Sequence, residues 1–151
     1  MKAYVDFSDI YIEIIGDSNK ITSILFKREK EPNSYEKGSE VEKAKIQMEE
    51  YLQRKRKEFD LNLDLITTEF NTKVYTALKN IPYGTLKTYG EIAREVGSPK
   101  AFRAVGNANN KNKFVIVFAC HRVIGSNNKL VGFAPGLRYK EELLKLEGII
   151  K

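Results

Sequence analysis

Short apolar runs alternate with polar turns along the first 27 residues. The runs at residues 3–7, 10–15 and 21–26 are rich in Ile, Val, Tyr and Phe, and the segments between them consist mainly of Ser, Asp, Gly and Asn. Such runs are typical of strands, and such connections are typical of tight turns. We predict three strands that form a small antiparallel sheet.

Helical spacing replaces this pattern after a polar linker at residues 29–38. Ser39, with Glu42 three residues later, forms a capping-box sequence, and apolar residues then recur every three or four positions as far as Leu52. A helix is predicted there. Leucines alternate with polar residues at positions 61–65, which predicts a further strand.

The pattern changes again at residue 67. A stripe of apolar residues at helical spacing runs from Phe70 to Ile81 and stops at Pro82. We therefore predict an α+β protein with two domains. Residues 1–66 form a scaffold of sheet plus helix, and residues 67–151 form a mainly helical domain.

Two short helices are predicted next. Thr88 and Glu91 form a second capping-box sequence, and Gly97 is suited to the helix end. Ser98 is suited to cap a second helix at residues 100–110. Two helices joined by a short turn that contains Gly are typical of a helix-turn-helix.

Charge is distributed unevenly between the two parts of the chain. Residues 1–87 carry 15 Lys or Arg and 15 Asp or Glu, whereas residues 88–151 carry 11 and 5, so the whole net charge of +6 lies in the second part. A basic domain attracts polyanions, because each neutralised phosphate releases counterions. Around Arg103, the second predicted helix has small side chains that allow close approach to a DNA groove, at Ala101, Ala104 and Gly106.

The chain contains one Cys and one His, at adjacent positions. A single Cys forms no internal disulfide, and the pair supplies too few ligands for a structural zinc site. We expect no metal and no cofactor. The first residues do not resemble a signal peptide, and no apolar run approaches membrane-spanning length, so we expect neither feature. A cytoplasmic monomer is expected.

An apolar, β-rich run at residues 114–118 leads directly to this Cys-His pair. We predict a buried strand that carries Cys120 and His121 at its end, with Arg122 beside them. Imidazole and guanidinium groups favour the thiolate, which is the nucleophilic form of cysteine. Neighbouring side chains of a strand point to opposite faces, so a direct Cys-His bond would need a turn or a bridging water.

The sequence Cys120-His121-Arg122-Val123 resembles the active-site motif of the O6-alkylguanine-DNA alkyltransferases. The similarity covers roughly residues 67–150, and further segments match at the spacing of that family. These are the Pro-Tyr-Gly turn at 82–84, Tyr89, the helix segment at 103–106, Asn112, the loop at 132–137 and the final helix at 143–148.

The resemblance implies a DNA-repair enzyme that moves an alkyl group from O6 of guanine in double-stranded DNA irreversibly onto its own cysteine. Cys120 would attack the alkyl carbon. His121 would act as the base through a water, and Glu147 would orient it, as in catalytic triads. Tyr89 would donate a hydrogen bond to the departing guanine. Asn112 would brace the active-site turn.

The same resemblance implies nucleotide flipping, with Arg103 in the space of the extruded nucleotide. DNA contacts would come from Arg103, Tyr89, Ala101, Ala104, Gly106 and Arg122, and the substrate pocket from Val123, Phe133, Ala134 and Pro135. Ala119 stands where the family usually has proline, and Phe133 where tyrosine is common. The range of alkyl groups accepted therefore stays open.

Three other functions compete with alkyl transfer. A helix-turn-helix regulator would use Cys120 only as a core residue. A non-catalytic sensor of alkylated bases would lack the active-site cysteine, which is present here. A Cys-His hydrolase would usually bring its two residues together from distant parts of the chain.

Overall fold

A computed structural model describes residues 1–126, 133 and 135–151. The chain divides into two compact units, Met1–Ile66 and Thr67–Lys151. Within the described residues, no helix has the length and apolar character needed to cross a membrane.

The first unit is built on three antiparallel strands. They are β1 (Lys2–Phe7), β2 (Ile10–Gly16) and β3 (Ile21–Lys27), and β2 lies in the middle. Alternate side chains on one face are buried, which matches the apolar periodicity of the sequence. The prediction of three strands is confirmed.

One helix, α1 (Glu40–Leu52), packs on this sheet. The Ser39 side chain accepts a hydrogen bond from the Glu42 N–H at 3.2 Å, as expected of an N-cap. The Glu42 carboxylate accepts from the N–H of Gly38 at 2.9 Å, one residue before the predicted partner. The helix is therefore capped, but the capping box is only half formed.

The strand predicted at residues 61–65 does not form. Only Leu63 makes a bridge, to Ile21, through two backbone hydrogen bonds of 2.8 Å that join Ile21 to Asn62 and Asp64. The three leucines are half-buried. Leucines alternate with polar residues equally well in a loop that lies along the edge of a sheet, so the pattern did not require a strand.

The second unit contains four helices among its described residues. They are α2 (Glu69–Lys79), α3 (Tyr89–Glu95), α4 (Phe102–Asn110) and α5 (Leu137–Leu146). The first three pack on one another. This unit therefore has the mainly helical character that the sequence predicts.

The predicted start of α4 is wrong. The α3 helix begins with a complete Thr88–Glu91 capping box, and Gly97 follows it at φ 80°. Ser98 then accepts a hydrogen bond from Ala101 N–H in a separate turn, and α4 begins only at Phe102. The N-cap residue of α4, Ala101, makes no side-chain capping hydrogen bond, so the start of this helix has no local signal in the sequence.

A short parallel ladder joins distant parts of the second unit. Strand β4 (Lys87–Thr88) pairs with β5 (Val123–Ile124), with Lys87 opposite Val123. Because α3 starts directly after β4, the ladder brings Tyr89 close to the Cys-His-Arg segment that precedes β5.

Candidate active site

The apolar segment at residues 114–118 is a buried loop, and the predicted strand is absent. Phe118 N–H donates to Phe114 O at 2.9 Å, which folds the segment back on itself, and Ile116 has a positive φ of 73°. The Phe118 ring stacks on Tyr75 at 5.3 Å and meets Phe114 edge-on at 5.5 Å. Burial was correctly predicted, but aromatic packing closes a turn in place of an extended strand.

Asn112 holds both ends of this loop. Its Nδ2 donates to Phe118 O at 2.8 Å, and its Oδ1 accepts from Phe114 N–H at 2.9 Å. A single turn of 3-10 helix, Cys120–Arg122, follows the loop. The turn removes the strand alternation that would have directed Cys120 and His121 to opposite faces.

The thiol of Cys120 is buried. Burial raises its pKa, because the low-dielectric surroundings disfavour the thiolate. The Asn112 side chain and the Lys140 ammonium act in the opposite direction. At rest the group is therefore a thiol, and its surroundings include two groups that stabilise the thiolate once a proton is removed.

His121 and Glu147 form a buried pair. His121 Nε2 lies 2.6 Å from a Glu147 carboxylate oxygen, and both side chains are fully buried. Burial lowers the pKa of His121 and outweighs the carboxylate, which raises it. A neutral imidazole that donates from Nε2 to Glu147 carries its lone pair on Nδ1. The ring is therefore in the form that accepts a proton.

Arg122 completes this network. Its Nε and one terminal nitrogen donate to the two Glu147 oxygens at 2.8 and 2.9 Å, and the other terminal nitrogen donates to Ile81 O at 2.7 Å. The sequence analysis assigned Arg122 to DNA contact. The guanidinium is instead buried against Glu147, so we withdraw that assignment.

The Pro-Tyr-Gly turn lies against the same carboxylate. Gly84 N–H donates to Glu147 Oε1 at 3.1 Å, and the Arg122 guanidinium lies 5.6 Å from the centre of the Tyr83 ring. Gly84 has φ 79°, a conformation that favours glycine. The turn thus helps to hold Glu147 in place.

Tyr89 is half-buried at the start of α3. Burial raises the pKa of its phenol, and negative charge on Cys120 raises it further, which places the two groups in one electrostatic environment. The Tyr89 hydroxyl accepts a hydrogen bond from Asn109 Nδ2 at 3.5 Å. The phenol is therefore a neutral hydrogen-bond donor near the thiol.

Lys140 lies on α5 with no exposed surface. Its ammonium donates to Val123 O at 2.5 Å. Burial lowers its pKa from 10.5 to about 8, although negative charge on Cys120 acts in the opposite direction. The positive charge of Lys140 therefore favours negative charge on the Cys120 sulfur.

The pKa of Lys140 predicts a pH-dependent contribution to stability. Below pH 8 both folded and unfolded chains hold the proton, and the cost of burying the charge is fully present. Between about pH 8 and 10.5 the folded chain releases its proton first, so the free energy of unfolding gains roughly 3 kcal/mol. Lys140→Met removes this gain.

Urea denaturation at pH 7.5 and 10.5 measures the difference in the free energy of unfolding between the parent and Lys140→Met. That difference should shift in favour of the parent at the higher pH. Lys145→Met, on the exposed side of the same helix, is the control. A difference that does not change with pH would contradict the lowered pKa.

The proposed DNA-contact residues of α4 have an exposed side. Arg103 and Ala104 are exposed, whereas Ala101, which precedes the helix, and Gly106 are half-buried. A Cβ at Gly106 would meet no described heavy atom within 4 Å. Packing within the described part of the chain therefore does not require glycine at this position.

Of the residues assigned to the substrate pocket, Val123 is fully buried, and Phe133 and Pro135 are half-buried. Ala134, and Gly132 in the same loop, lie outside the described residues. Among the described residues, no three His, Cys, Asp or Glu side chains are grouped to hold a metal ion.

Both units match known protein-family models. Residues 1–65 match the 6-O-methylguanine DNA methyltransferase ribonuclease-like domain, and residues 69–149 match the DNA binding domain of the same proteins. Over 142 residues the chain is 47% identical to the methylated-DNA–protein-cysteine methyltransferase of Methanosarcina acetivorans, with 91% of each chain covered. The chain belongs to the 6-O-methylguanine DNA methyltransferase family. The resemblance stated from the Cys-His-Arg-Val motif is confirmed.

Solved structures agree with this family membership. Mycobacterium tuberculosis OGT in complex with DNA superposes with a TM-score of 0.84 at 36% identity, over 95% of this chain and 90% of that one. A methyltransferase from Methanococcus jannaschii gives 0.70 at 25% identity, over 99% and 95%. The predicted α+β fold is confirmed as the fold of these methyltransferases.

Sequence reasoning missed two buried polar residues near the candidate site. Lys140 had the appearance of an ordinary surface lysine, although its position between Tyr139 and the leucines of α5 follows the buried stripe of that helix. Asn109 gave no signal, because its neighbours Asn107 and Asn110 are exposed asparagines. Only the packing of α4 against α3 distinguishes the buried Asn109 from these exposed neighbours.

Proposed function

We propose that this protein repairs DNA by transferring an alkyl group from O6 of guanine to Sγ of Cys120, once for each molecule. The observation that carries the proposal is the turn at Cys120–Arg122, where a buried thiol adjoins a neutral His121 paired with Glu147. Family membership supports the same reaction.

The reaction is a displacement at the alkyl carbon. His121 takes the thiol proton through a water, and the sulfur forms a bond to the alkyl carbon as the bond from that carbon to O6 breaks. The electron pair of the broken bond stays on guanine, which then takes up a proton. The products are a thioether on Cys120 and an unmodified guanine, so atoms and charge balance.

Protein groups stabilise the charge that moves during this step. Glu147 stabilises the imidazolium that forms on His121, while Asn112 and Lys140 support negative charge on the sulfur. Tyr89 donates a hydrogen bond to the departing base. Because thioether cleavage has no catalyst in this mechanism, the reaction is irreversible.

Double-stranded DNA is the partner that we propose for the second unit. The exposed face of α4 carries Arg103 and Ala104, and the open space at Gly106 suits the close approach of a phosphate backbone. A base inside a duplex does not reach a buried thiol, so the nucleotide must be flipped out, and Arg103 would fill its place. The net positive charge of residues 88–151 supports this assignment.

The division of labour between the units is also part of the proposal. Residues 67–151 hold every residue assigned to DNA binding or alkyl transfer, and residues 1–66 serve as a scaffold. We expect a monomer that works in the cytoplasm without metal or cofactor. A sensor or regulator would not need the thiol and its base, so both alternatives are less favoured.

Intact-protein mass spectrometry tests the function directly. The protein is mixed with a duplex that contains one O6-methylguanine, and the expected product is heavier by one CH2 group, located at Cys120 by peptide mapping. Titration should reach a limit at one alkyl group per active chain. An unchanged mass, or repair of several lesions by one chain, would refute the proposal.

Two substitutions should separate chemistry from base flipping. Tyr89→Phe removes a donor to the leaving base and should slow transfer about 10- to 100-fold on both free O6-benzylguanine and duplex DNA, somewhat less than loss of an oxyanion-hole donor. Arg103→Ala should act chiefly on duplex DNA, because a free base needs no flipping.

Single-turnover rates on the two substrates measure this separation. Lys100→Ala, also exposed and basic in the same region, is the matched control for loss of charge near Arg103. If Tyr89→Phe and Arg103→Ala slowed both substrates by equal factors, the two assigned roles would be wrong.

A further inference from the structure

Asn109 takes no part in the steps described above, yet its side chain is buried beside Tyr89. It lies in the last turn of α4, on the face that carries Val105 and Ala108 into the core, and only 5% of its surface is exposed. Its Nδ2 donates to Tyr89 Oη at 3.5 Å. The contact joins Tyr89, the residue after β4, to a residue of α4 that lies 20 positions further along the chain.

The oxygen of the same amide, Asn109 Oδ1, is buried and has no hydrogen-bond partner within residues 1–126, 133 and 135–151. An unpaired buried acceptor costs free energy, and a leucine has the same branched shape without that cost. The fold alone would therefore favour an apolar residue here, which indicates that the amide serves another purpose.

We propose that Asn109 is a positioning residue that acts through Tyr89 and directs the phenol hydrogen toward the substrate base. A phenol oxygen both donates and accepts. When Asn109 occupies an acceptor position of that oxygen, the single hydrogen stays available for guanine. This inference rests on the proposed alkyl transfer.

The contact also prepares Tyr89 for its role in the transition state. Donation to the phenol oxygen lowers the pKa of Tyr89 and so opposes the effect of burial. A more acidic O–H is a stronger donor to the negative charge that develops on guanine. Without Asn109 the hydroxyl is free to rotate toward other acceptors, and part of this stabilisation is lost.

A double-mutant cycle on free O6-benzylguanine tests the coupling. The proteins compared are the parent, Asn109→Leu, Tyr89→Phe and the double variant. Asn109→Leu should slow transfer roughly three- to tenfold, which is the effect of one neutral hydrogen bond. In the Tyr89→Phe background it should have no further effect, because the residue acts only through the phenol.

Thermal melting separates positioning from a merely structural role. Asn109→Leu should melt at or above the parent temperature, because it removes an unsatisfied acceptor. Asn110→Leu, on the exposed side of the same helix, should keep the parental rate on the free base. Rate effects that multiply in the double variant, a parental rate for Asn109→Leu, or an equal slowing by Asn110→Leu would overturn the proposal.

Asn109→Asp tests the direction of the hydrogen bond. A carboxylate keeps the shape of the side chain but only accepts, so it would draw the Tyr89 hydrogen away from the base. Transfer should be slower than in Asn109→Leu. An Asp variant as fast as the Leu variant would show that the direction of the contact does not matter.

If the parent protein transferred no alkyl group, the proposed function would be refuted. The Asn109–Tyr89 contact can still be tested by a measurement that does not depend on activity. NMR titration of tyrosines labelled with carbon-13 at Cζ follows each phenol, and the signal missing from Tyr89→Phe identifies Tyr89. Its midpoint should move to higher pH in Asn109→Leu. An unchanged midpoint would show that the Asn109–Tyr89 contact is absent in solution.

Discussion

Replacement of Cys120 by Ser should abolish alkyl transfer while most of the affinity for DNA remains. A serine hydroxyl ionises far less readily than a thiol and is a weaker nucleophile in the same place. Loss of an active-site nucleophile lowers rates by several orders of magnitude, so we expect a decrease on the order of a thousandfold or more.

The measurement combines intact mass with a binding assay on duplex DNA. The variant should gain no mass over a time in which the parent reacts completely. Its affinity for DNA should stay within about twofold, because Cys120 is buried and is not part of α4, which carries the proposed contacts to DNA. Methylation of Cys120→Ser at the parental rate would place the acceptor elsewhere in the chain.

Replacement of Glu147 by Gln should destabilise the protein and slow transfer. The carboxylate accepts hydrogen bonds from Arg122, His121 and Gly84. Without its charge, the buried guanidinium of Arg122 is uncompensated, which typically costs about 3–5 kcal/mol. Transfer should fall as well, because His121 loses the group that orients it and stabilises its charged form.

Urea denaturation measures the loss of stability in Glu147→Gln. A second substitution tests whether the uncompensated charge of Arg122 causes this loss. Arg122→Met should destabilise on its own, yet combined with Glu147→Gln it should cost less than the sum, because the double variant leaves no unpaired charge. Glu141→Gln, at an exposed position of α5, should change stability by less than about 0.5 kcal/mol. Strict additivity of the two buried substitutions would contradict the proposed pairing.

Local features were predictable where neighbouring residues decide the structure. The capping box at Thr88 and Glu91 satisfies the first N–H groups of α3 within four residues, and Gly97 ends that helix for an equally local reason. The strands of the first unit follow from alternation and tight turns. The Cys-His-Arg motif is contiguous, so its candidate reactive residues could be recognised from the sequence without knowledge of their geometry.

Predictions failed where distant contacts decide the backbone. Residues 114–118 have strand-like composition, but the Asn112 side chain and the stacking of Phe118 on Tyr75 close them into a loop. Residues 61–65 alternate like a strand but meet the sheet only at Leu63. β-propensity reports a half-buried, extended environment, and loops also provide such environments.

The sequence by itself determined the family, and it predicted the candidate nucleophile and its neighbouring base, because these depend on residue types at fixed short spacings. The tertiary structure decided the partners of the charged side chains and their pKa values. Arg122 was expected at DNA and is buried against Glu147, and Lys140 lies near the thiol with a lowered pKa. Burial and pairing across many residues set these properties, and no local pattern encodes them.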